Sequence, residues 1–367
     1  MPSVLLLRSS RHLGGIERQL LDHARRMQRA GWQVTLCCLM RGEEEHPLAA
    51  AARVCGLMAF TVADPGPLNL AVLRELRALI REVRPDLLHS LDYRTDVAAW
   101  LVARGMPRLV ESHGHTRESR GMALWNLLDL RAMRRAEVVV AVSTAWETRL
   151  AAGGVPPHRI HVIGNSRAIL PSEPAPSPRP LLSPGPHLLY AARLSPEKGI
   201  DLLLAAWPRL RSLYPEAHLW VLGEGVPRGK VARMLDQMRD DQIHRLGYQP
   251  DIRPWLHACD VVVAPSRQEA WGMTVFEALC AGKPVVTTRV GGLPELCRPA
   301  PHAHLVRPES AVALAEGVRC VLDPEFPRGP KLGRAFCNRP RFAPAHRHRQ
   351  FLALYDLAVD RSAKSAP

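Results

Sequence analysis

The chain has 367 residues, enough for two domains of ordinary size. Its formal net charge of +14 suits phosphate-rich partners, which are nucleotide diphosphates, an anionic membrane surface or nucleic acid. No RNA-binding fingerprint, zinc-finger spacing or basic-region helix accompanies that charge, which argues against nucleic acid, and no run reaches the roughly 18 apolar residues of a membrane-spanning helix.

The opening, MPSVLLLRSS, has only a short apolar run and no basic segment before it, so residues 4–7 read as a first buried strand and not as a signal peptide. A loop leads to Gly14-Gly15 and a helix over 16–30, with Ile16, Leu20, Ala24 and Met27 at helical spacing. Gly31 ends that helix, and 32–39 is the next strand. Strand, Gly-Gly, helix, strand is a Rossmann-like opening, in which Gly15 lets an anion or sugar approach the helix N-terminus. A turn glycine with a purely structural purpose would read the same way.

A helix over 70–83 and a strand over 87–90 follow, and Asp92 caps a helix over 95–103. The strand 108–111 runs into Ser112-His113-Gly114-His115 at its carboxyl end, where open α/β sheets place ligand-binding groups. Each histidine there is either a site residue or an ordinary loop residue. A helix over 125–134 carries Arg131, Arg134 and Arg135; strands at 138–142 and 159–163 flank a helix capped by Ser143. The proline-dense stretch 171–186 can be neither helix nor central strand, and it reads as an extended linker. The expected organisation is a first domain over 1–170, this linker, a second domain over 187–348, and a closing helix over 349–367.

The second domain opens with a strand over 188–191, a basic loop and a helix from Gly199-Ile200. Arg193 and Lys198 stand across a tight loop, so both can reach one diphosphate, Arg as a planar fork and Lys as a mobile point charge. Two solvated loop cations would look alike in sequence. A strand over 219–222 precedes Gly223-Glu224-Gly225, another over 243–246 precedes Gly247-Tyr248, and Asp251 caps a helix over 252–258. Then comes the densest stretch: a strand over 261–263, Glu269 in the following loop, a helix start at Trp271-Gly272, Glu277, a strand over 284–288 and Gly291-Gly292. Gly272 allows close backbone approach, and the first amides of its helix, at Met273 and Thr274, attract an anion. Two carboxylates with an anion site between them match the layout of a nucleotide sugar: sugar hydroxyls, diphosphate, ribose hydroxyls. A solvated loop glutamate followed by a helix glutamate is the plainer alternative. After Leu296 come a helix over 311–322 and a Pro- and Arg-rich stretch at 323–345 whose fold the pattern does not indicate.

Glu269, Gly272, Glu277, Ala278, Gly282, Pro284, Val285, Val286, Gly291, Gly292 and Glu295 together resemble the signature block of the retaining GT-B glycosyltransferases of the family 4 type, the group 1 glycosyl transferases. Arg193-Leu194 with Lys198-Gly199 resembles that family's donor-phosphate motif, with Ala192 in place of its usual glycine. Gly-Gly-Ile-Glu at 14–17 resembles its amino-terminal signature, and the family's Asn-Gly turn is replaced by Asn165-Ser166. The resemblance implies an α/β GT-B fold, with two Rossmann-like domains facing across a cleft. It implies transfer of a sugar from a UDP- or GDP-linked donor to a sugar or lipid-linked acceptor, with retention, no cofactor and no metal. In that reading Glu269 holds donor sugar hydroxyls, Glu277 holds the ribose, and Arg193, Lys198 and the helix start at Gly272 hold the diphosphate. Gly15 approaches the donor. His113 lies near the sugar, with His115 as the fallback, and His89 matches a histidine strand that faces the cleft. Cell-surface polysaccharide, lipopolysaccharide or glycolipid synthesis is the implied setting. Two other outcomes stay open: another GT-B activity, such as a sugar-nucleotide epimerase or a phosphorylase, and an inactive homologue that only binds. The eight cysteines contain no Cys-x-x-Cys pair, which suggests reduced thiols and a cytoplasmic protein, soluble or resting on the inner face of the membrane.

Overall fold

Short uninterrupted runs such as Val138–Ala141 and Val261–Ala264 are apolar on both faces, a pattern that parallel strands covered by helices can bury. The computed structural model describes residues 1–42, 45–66, 69–103, 105–115, 120–166, 184–225, 233–234 and 240–365. It divides into two compact units, Met1–Ile169 with Pro340–Pro367, and Leu170–Arg339.

The first unit runs β1 (Ser3–Ser9), α1 (Gly15–Arg29), β2 (Gln33–Met40), α2 (Pro47–Val54), β3 (Met58–Ala63), α3 (Leu70–Val83), β4 (Leu87–Ser90), α4 (Tyr93–Val102), β5 (Arg108–Ser112), α5 (Arg120–Met133), β6 (Val138–Ala141), α6 (Thr144–Ala152) and β7 (Ile160–Val162). All pairings are parallel, in the order β3-β2-β1-β4-β5-β6-β7. The second unit runs β8 (His187–Ala191), α7 (Ile200–Leu213), β9 (His218–Leu222), β10 (Ile243–Gly247), α8 (Arg253–Ala258), β11 (Val261–Ala264), α9 (Met273–Cys280), β12 (Val285–Thr288), α10 (Leu293–Cys297), β13 (Ala303–Val306), α11 (Ala311–Leu322) and α12 (Pro330–Cys337). Its sheet is also parallel, in the order β10-β9-β8-β11-β12-β13. A last helix, α13 (Pro344–Ser365), belongs to the first unit, where Phe351, Tyr355 and Ala358 join the core beside Val4, Leu6, Leu20 and Met27. The opposite face of that sheet packs Leu5, Leu7, Val72, Leu76 and Ala98.

In each sheet the chain first winds to one side and then returns to the other. The reversal lies between β1 and β4 in the first unit and between β8 and β11 in the second. The loops leaving those strands diverge at the carboxyl edge and open a crevice there, the usual ligand position in open α/β sheets. Those loops carry Gly15 in one unit and Arg193, Lys198 and Glu269 in the other.

The structure departs from the sequence reading in several places. The final helix begins at Pro344, and the first unit takes the chain back from Pro340, so the expected boundary at 348/349 falls inside the helix. The helix start after Asp251 lies one residue later, with Ile252 at the cap position, while the Asp251 carboxylate accepts from the Arg253 amide at 3.0 Å. The stretch 323–345 contains α12, and α2 and β3 lie between elements that the sequence pattern had separated by an unassigned span. Of the linker 171–186, residues 171–183 lie outside the described residues. All eight cysteines are free thiols, and burial pushes those of Cys38, Cys259 and Cys297 up to about 12. Among the described residues, no helix is long and apolar enough to cross a membrane.

Candidate active site

In the second unit two loops meet beyond the switch point. The loop after β8 closes in a 3-10 turn over Pro196–Lys198, and the loop after β11 carries Arg267 to Gly272. Arg267 fastens one to the other. Its guanidinium donates to both Asp201 carboxylate oxygens at 2.7 and 2.8 Å, and its amide donates to the Glu197 carbonyl at 2.8 Å. The hydrogen bonds that it donates to Asp201 outweigh desolvation and raise the Arg267 guanidinium above its ordinary value. This clasp brings the Lys198 ammonium to 2.6 Å from Glu269 Oε2, with about a fifth of each side chain exposed (20% and 16%). Arg193 pairs within its own loop, 3.0 Å from Glu197 Oε1, and is more exposed than Lys198.

Helix α9 starts against this pair. Gly272 is its cap residue at φ 99°, and a Cβ there would lie 2.6 Å from Leu293 Cδ2, so only glycine turns the chain into the helix without strain. The Thr274 hydroxyl donates to the Ala191 carbonyl at 2.7 Å and pins the helix start to the end of β8. Met273 opens the helix and Glu277 follows within it; the charge of Glu277 adds to the Asp251 hydrogen bonds that raise the Arg253 guanidinium. Gly291 backs the same corner at φ 52°, where a Cβ would fall 1.7 Å from the Glu269 carbonyl oxygen.

In the first unit Gly15 is the first residue of α1. The turn before it is held by Glu17, which accepts from the Gly14 amide at 2.9 Å and from Arg8 Nε at 2.8 Å. His113 follows β5, with Nε2 at 3.0 Å from Oε1 of the fully buried Glu111. His115 is directed elsewhere, pairing with Asp129 at 2.7 Å and packing edge-on against Trp146. His89 is buried inside the unit, its Nδ1 at 2.8 Å from the Tyr355 hydroxyl.

Comparison with known proteins places these features. The family model for Glycosyl transferases group 1 matches residues 185–323, and that for Glycosyltransferase Family 4 matches residues 13–166. The chain is 30% identical over 287 residues to the glycogen synthase of Mycobacterium tuberculosis, covering 73% of this chain and 67% of that protein. The chain belongs to the group 1 glycosyltransferases. A shorter match, 39% over 119 residues (29% of this chain and 31% of its relative), is to the lipopolysaccharide 1,2-N-acetylglucosaminetransferase of Salmonella typhimurium. Anabaena HepE, solved in complex with UDP-glucose, superposes with a TM-score of 0.78 at 20% identity, covering 97% of this chain and 100% of that one, and it shares the GT-B fold.

Within this glycosyltransferase the sequence-derived residues fall into two groups by unit. Lys198, Glu269, Gly272, Met273, Thr274 and Arg193 gather at the carboxyl edge of the second sheet, with Glu277 farther along the same helix. Gly15 and His113 lie at the corresponding edge of the first sheet. The sequence reading missed Glu111 and Arg347, whose guanidinium reaches Glu111 Oε1 from α13. Glu111 had a signal, a carboxylate in an otherwise apolar strand two residues before a candidate histidine. Arg347 stands in a basic run, His346 to Arg349, that reads as solvated surface.

Proposed function

We propose that this glycosyltransferase moves a sugar from a UDP- or GDP-linked donor to the hydroxyl of a sugar or lipid-linked acceptor, with retention and without a metal ion. The setting is cytoplasmic, in cell-surface polysaccharide, lipopolysaccharide or glycolipid synthesis. The observation that carries this reading is the Lys198–Glu269 contact at 2.6 Å, set at the switch point between β8 and β11 and at the N-terminus of α9. A cation, a carboxylate and a helix start meet there, which matches a diphosphate joined to a polyol.

On donor binding, Lys198 exchanges Glu269 for the diphosphate, and the freed carboxylate accepts hydrogen bonds from sugar hydroxyls. Arg193 and the amides at Met273 and Thr274 add positive potential where the leaving group gains charge, the kind of placement that lowers such barriers most. Glu277 takes the ribose hydroxyls. Gly15 and His113, at the carboxyl edge of the first sheet, serve the transferred sugar. The complexes of HepE with UDP and with UDP-glucose support a donor of this class. A membrane-borne acceptor is supported by α5, which exposes Leu124 and Leu127 on the helix that carries Arg131 and leads to Arg134 and Arg135.

The test is thermal unfolding with UDP, GDP, ADP and their sugars, with Lys198→Ala alongside. A ligand at 100 times its Kd stabilises the fold by about 2.7 kcal/mol. The expected result is a rise in Tm with one nucleotide family that Lys198→Ala loses. Equal shifts in both proteins would move the phosphate site away from Lys198, and no shift with any nucleotide would favour an inactive homologue.

A further inference from the structure

Behind His113 lies a buried polar chain that the reaction outlined above does not use. Glu111, near the end of β5, is fully buried. Arg347 Nη2 of α13 contacts its Oε1, His113 Nε2 lies 3.0 Å from the same oxygen, and His89 Nε2 faces Oε2 across 3.4 Å. His89 Nδ1 is 2.8 Å from the Tyr355 hydroxyl, which is 2.9 Å from His23 Nε2, and His23 Nδ1 is 3.3 Å from His348 Nδ1.

The proton positions along this chain follow from donor and acceptor chemistry. Burial opposes charge on Glu111, yet the facing Arg347 guanidinium holds its carboxyl well below the usual range, so it is an ionised, acceptor-only group. Burial lowers His89 and, more strongly, His23, which keeps both rings neutral at neutral pH. A neutral His89 that faces a carboxylate carries its proton on Nε2, and its Nδ1 accepts from the Tyr355 hydroxyl. The Tyr355 oxygen then accepts from His23 Nε2–H, and His23 Nδ1 accepts from His348. The hydrogen bonds run from His348 through His23 and Tyr355 to His89 Nδ1, and such aligned chains reinforce one another; beyond them His89 Nε2 and Glu111 Oε2 face each other without a hydrogen bond.

We infer that Glu111 is the positioning residue of His113: the negative charge of its carboxylate, 3.0 Å away, holds the imidazole proton on Nε2 and leaves Nδ1 as the hydrogen-bond acceptor offered to a hydroxyl of the transferred sugar. This inference rests on the glycosyl-transfer reading for the role of His113, but the tautomer it predicts can be observed without turnover. The arrangement follows the logic of a buried carboxylate that sets the tautomer of a working histidine. Arg347 neutralises the carboxylate that performs this task, and the Tyr355–histidine chain holds the His89 ring opposite its second oxygen.

The experiment uses the full chain labelled with 15N-histidine, with His113→Gln to assign the His113 signals. The wild-type ring should show the Nε2–H pattern, and Glu111→Gln should shift it to the Nδ1–H form or a mixture. With a nucleotide sugar turned over by the wild type, Glu111→Gln should lower kcat by roughly tenfold or more with KM little changed. Should Glu111→Gln fail to fold because Arg347 is left unpaired, the double variant Glu111→Gln with Arg347→Met removes both charges and gives the same readouts. An unchanged His113 pattern overturns the inference, and so does a changed pattern with unchanged kcat. If the wild type turns over no nucleotide sugar, the transfer reading fails, and the spectra still decide the tautomer.

Discussion

Lys198 and Glu269 neutralise each other in the site proposed to accept a diphosphate and a sugar. The pair is partly solvent-screened, so it contributes little to folding, and its removal should be read mainly in activity. Glu269→Ala is therefore expected to nearly abolish sugar transfer while its urea unfolding midpoint stays close to wild type. Normal turnover in that variant would remove Glu269 from the site. Gly291→Ala should behave differently. Its positive φ and the Cβ position 1.7 Å from the Glu269 carbonyl force the backbone under Glu269 to move. A loss of roughly 1–3 kcal/mol in urea unfolding, together with weaker nucleotide binding, is the expected outcome. A variant with wild-type stability would show that this corner relaxes freely.

The elements that the sequence revealed best are those with complete local signals. α3 and α11 match their expected bounds because an amphipathic run begins at a capping side chain in each: Asn69 accepts from the Ala71 amide at 2.8 Å, and Ser310 accepts from Ala313 at 3.1 Å. The loops bearing Arg193, Lys198 and Glu269 were found for the same reason, since glycines, cations and carboxylates are spaced by local chain geometry. What the pattern did not reveal depends on partners far away in the chain. β3 is an edge strand with little alternation, and α12 is flanked by prolines and arginines that hide its apolar face. Nothing near Arg347 announces that Glu111, 236 residues away, will bury it. The start of α13 was missed likewise, because the first turns of the helix are basic and their partners belong to β5 and α1. Helix α13 is thus held by tertiary contacts, with Phe351 fully buried, stacked near His89 and beneath the Arg347 guanidinium. Phe351→Ala should cost about 3–5 kcal/mol by urea unfolding, the usual figure for a buried aromatic. A loss under about 1 kcal/mol would mean that the helix is only loosely docked.

The ionisable groups of the whole chain bias its stability toward neutral pH, because the raised thiols of Cys37, Cys38, Cys259 and Cys297 and the raised hydroxyls of Tyr190 and Tyr355 oppose alkaline conditions as the histidines oppose acid ones. Ten histidines (23, 46, 89, 161, 218, 244, 257, 302, 304 and 348) are lowered, each chiefly by burial. A lowered histidine binds its proton more readily when unfolded, so its contribution is complete above the ordinary value of about 6.5 and fades as pH falls toward the folded value. Glu111 acts in the same sense at lower pH. Asp92 and Asp96, which burial raises, act in the opposite sense, but they are two against ten. The urea midpoint should therefore stay level from about pH 8 to 7 and fall between about pH 6.5 and 5. A midpoint that rises over that acid range would contradict this balance.

The chain leaves the first unit after Ile169, builds the second, and returns at Pro340. During synthesis the second unit, contiguous in sequence, has all its strands in hand while the first still lacks Phe351, Leu354, Tyr355 and Ala358 from its core. The segment made first is thus the one completed last. Until the ribosome releases the final helix, the apolar groove beside β1 and β4 stays open, and Glu111 waits without its arginine. That interval, and not the finished enzyme, is when a nascent chain of this kind most needs a chaperone.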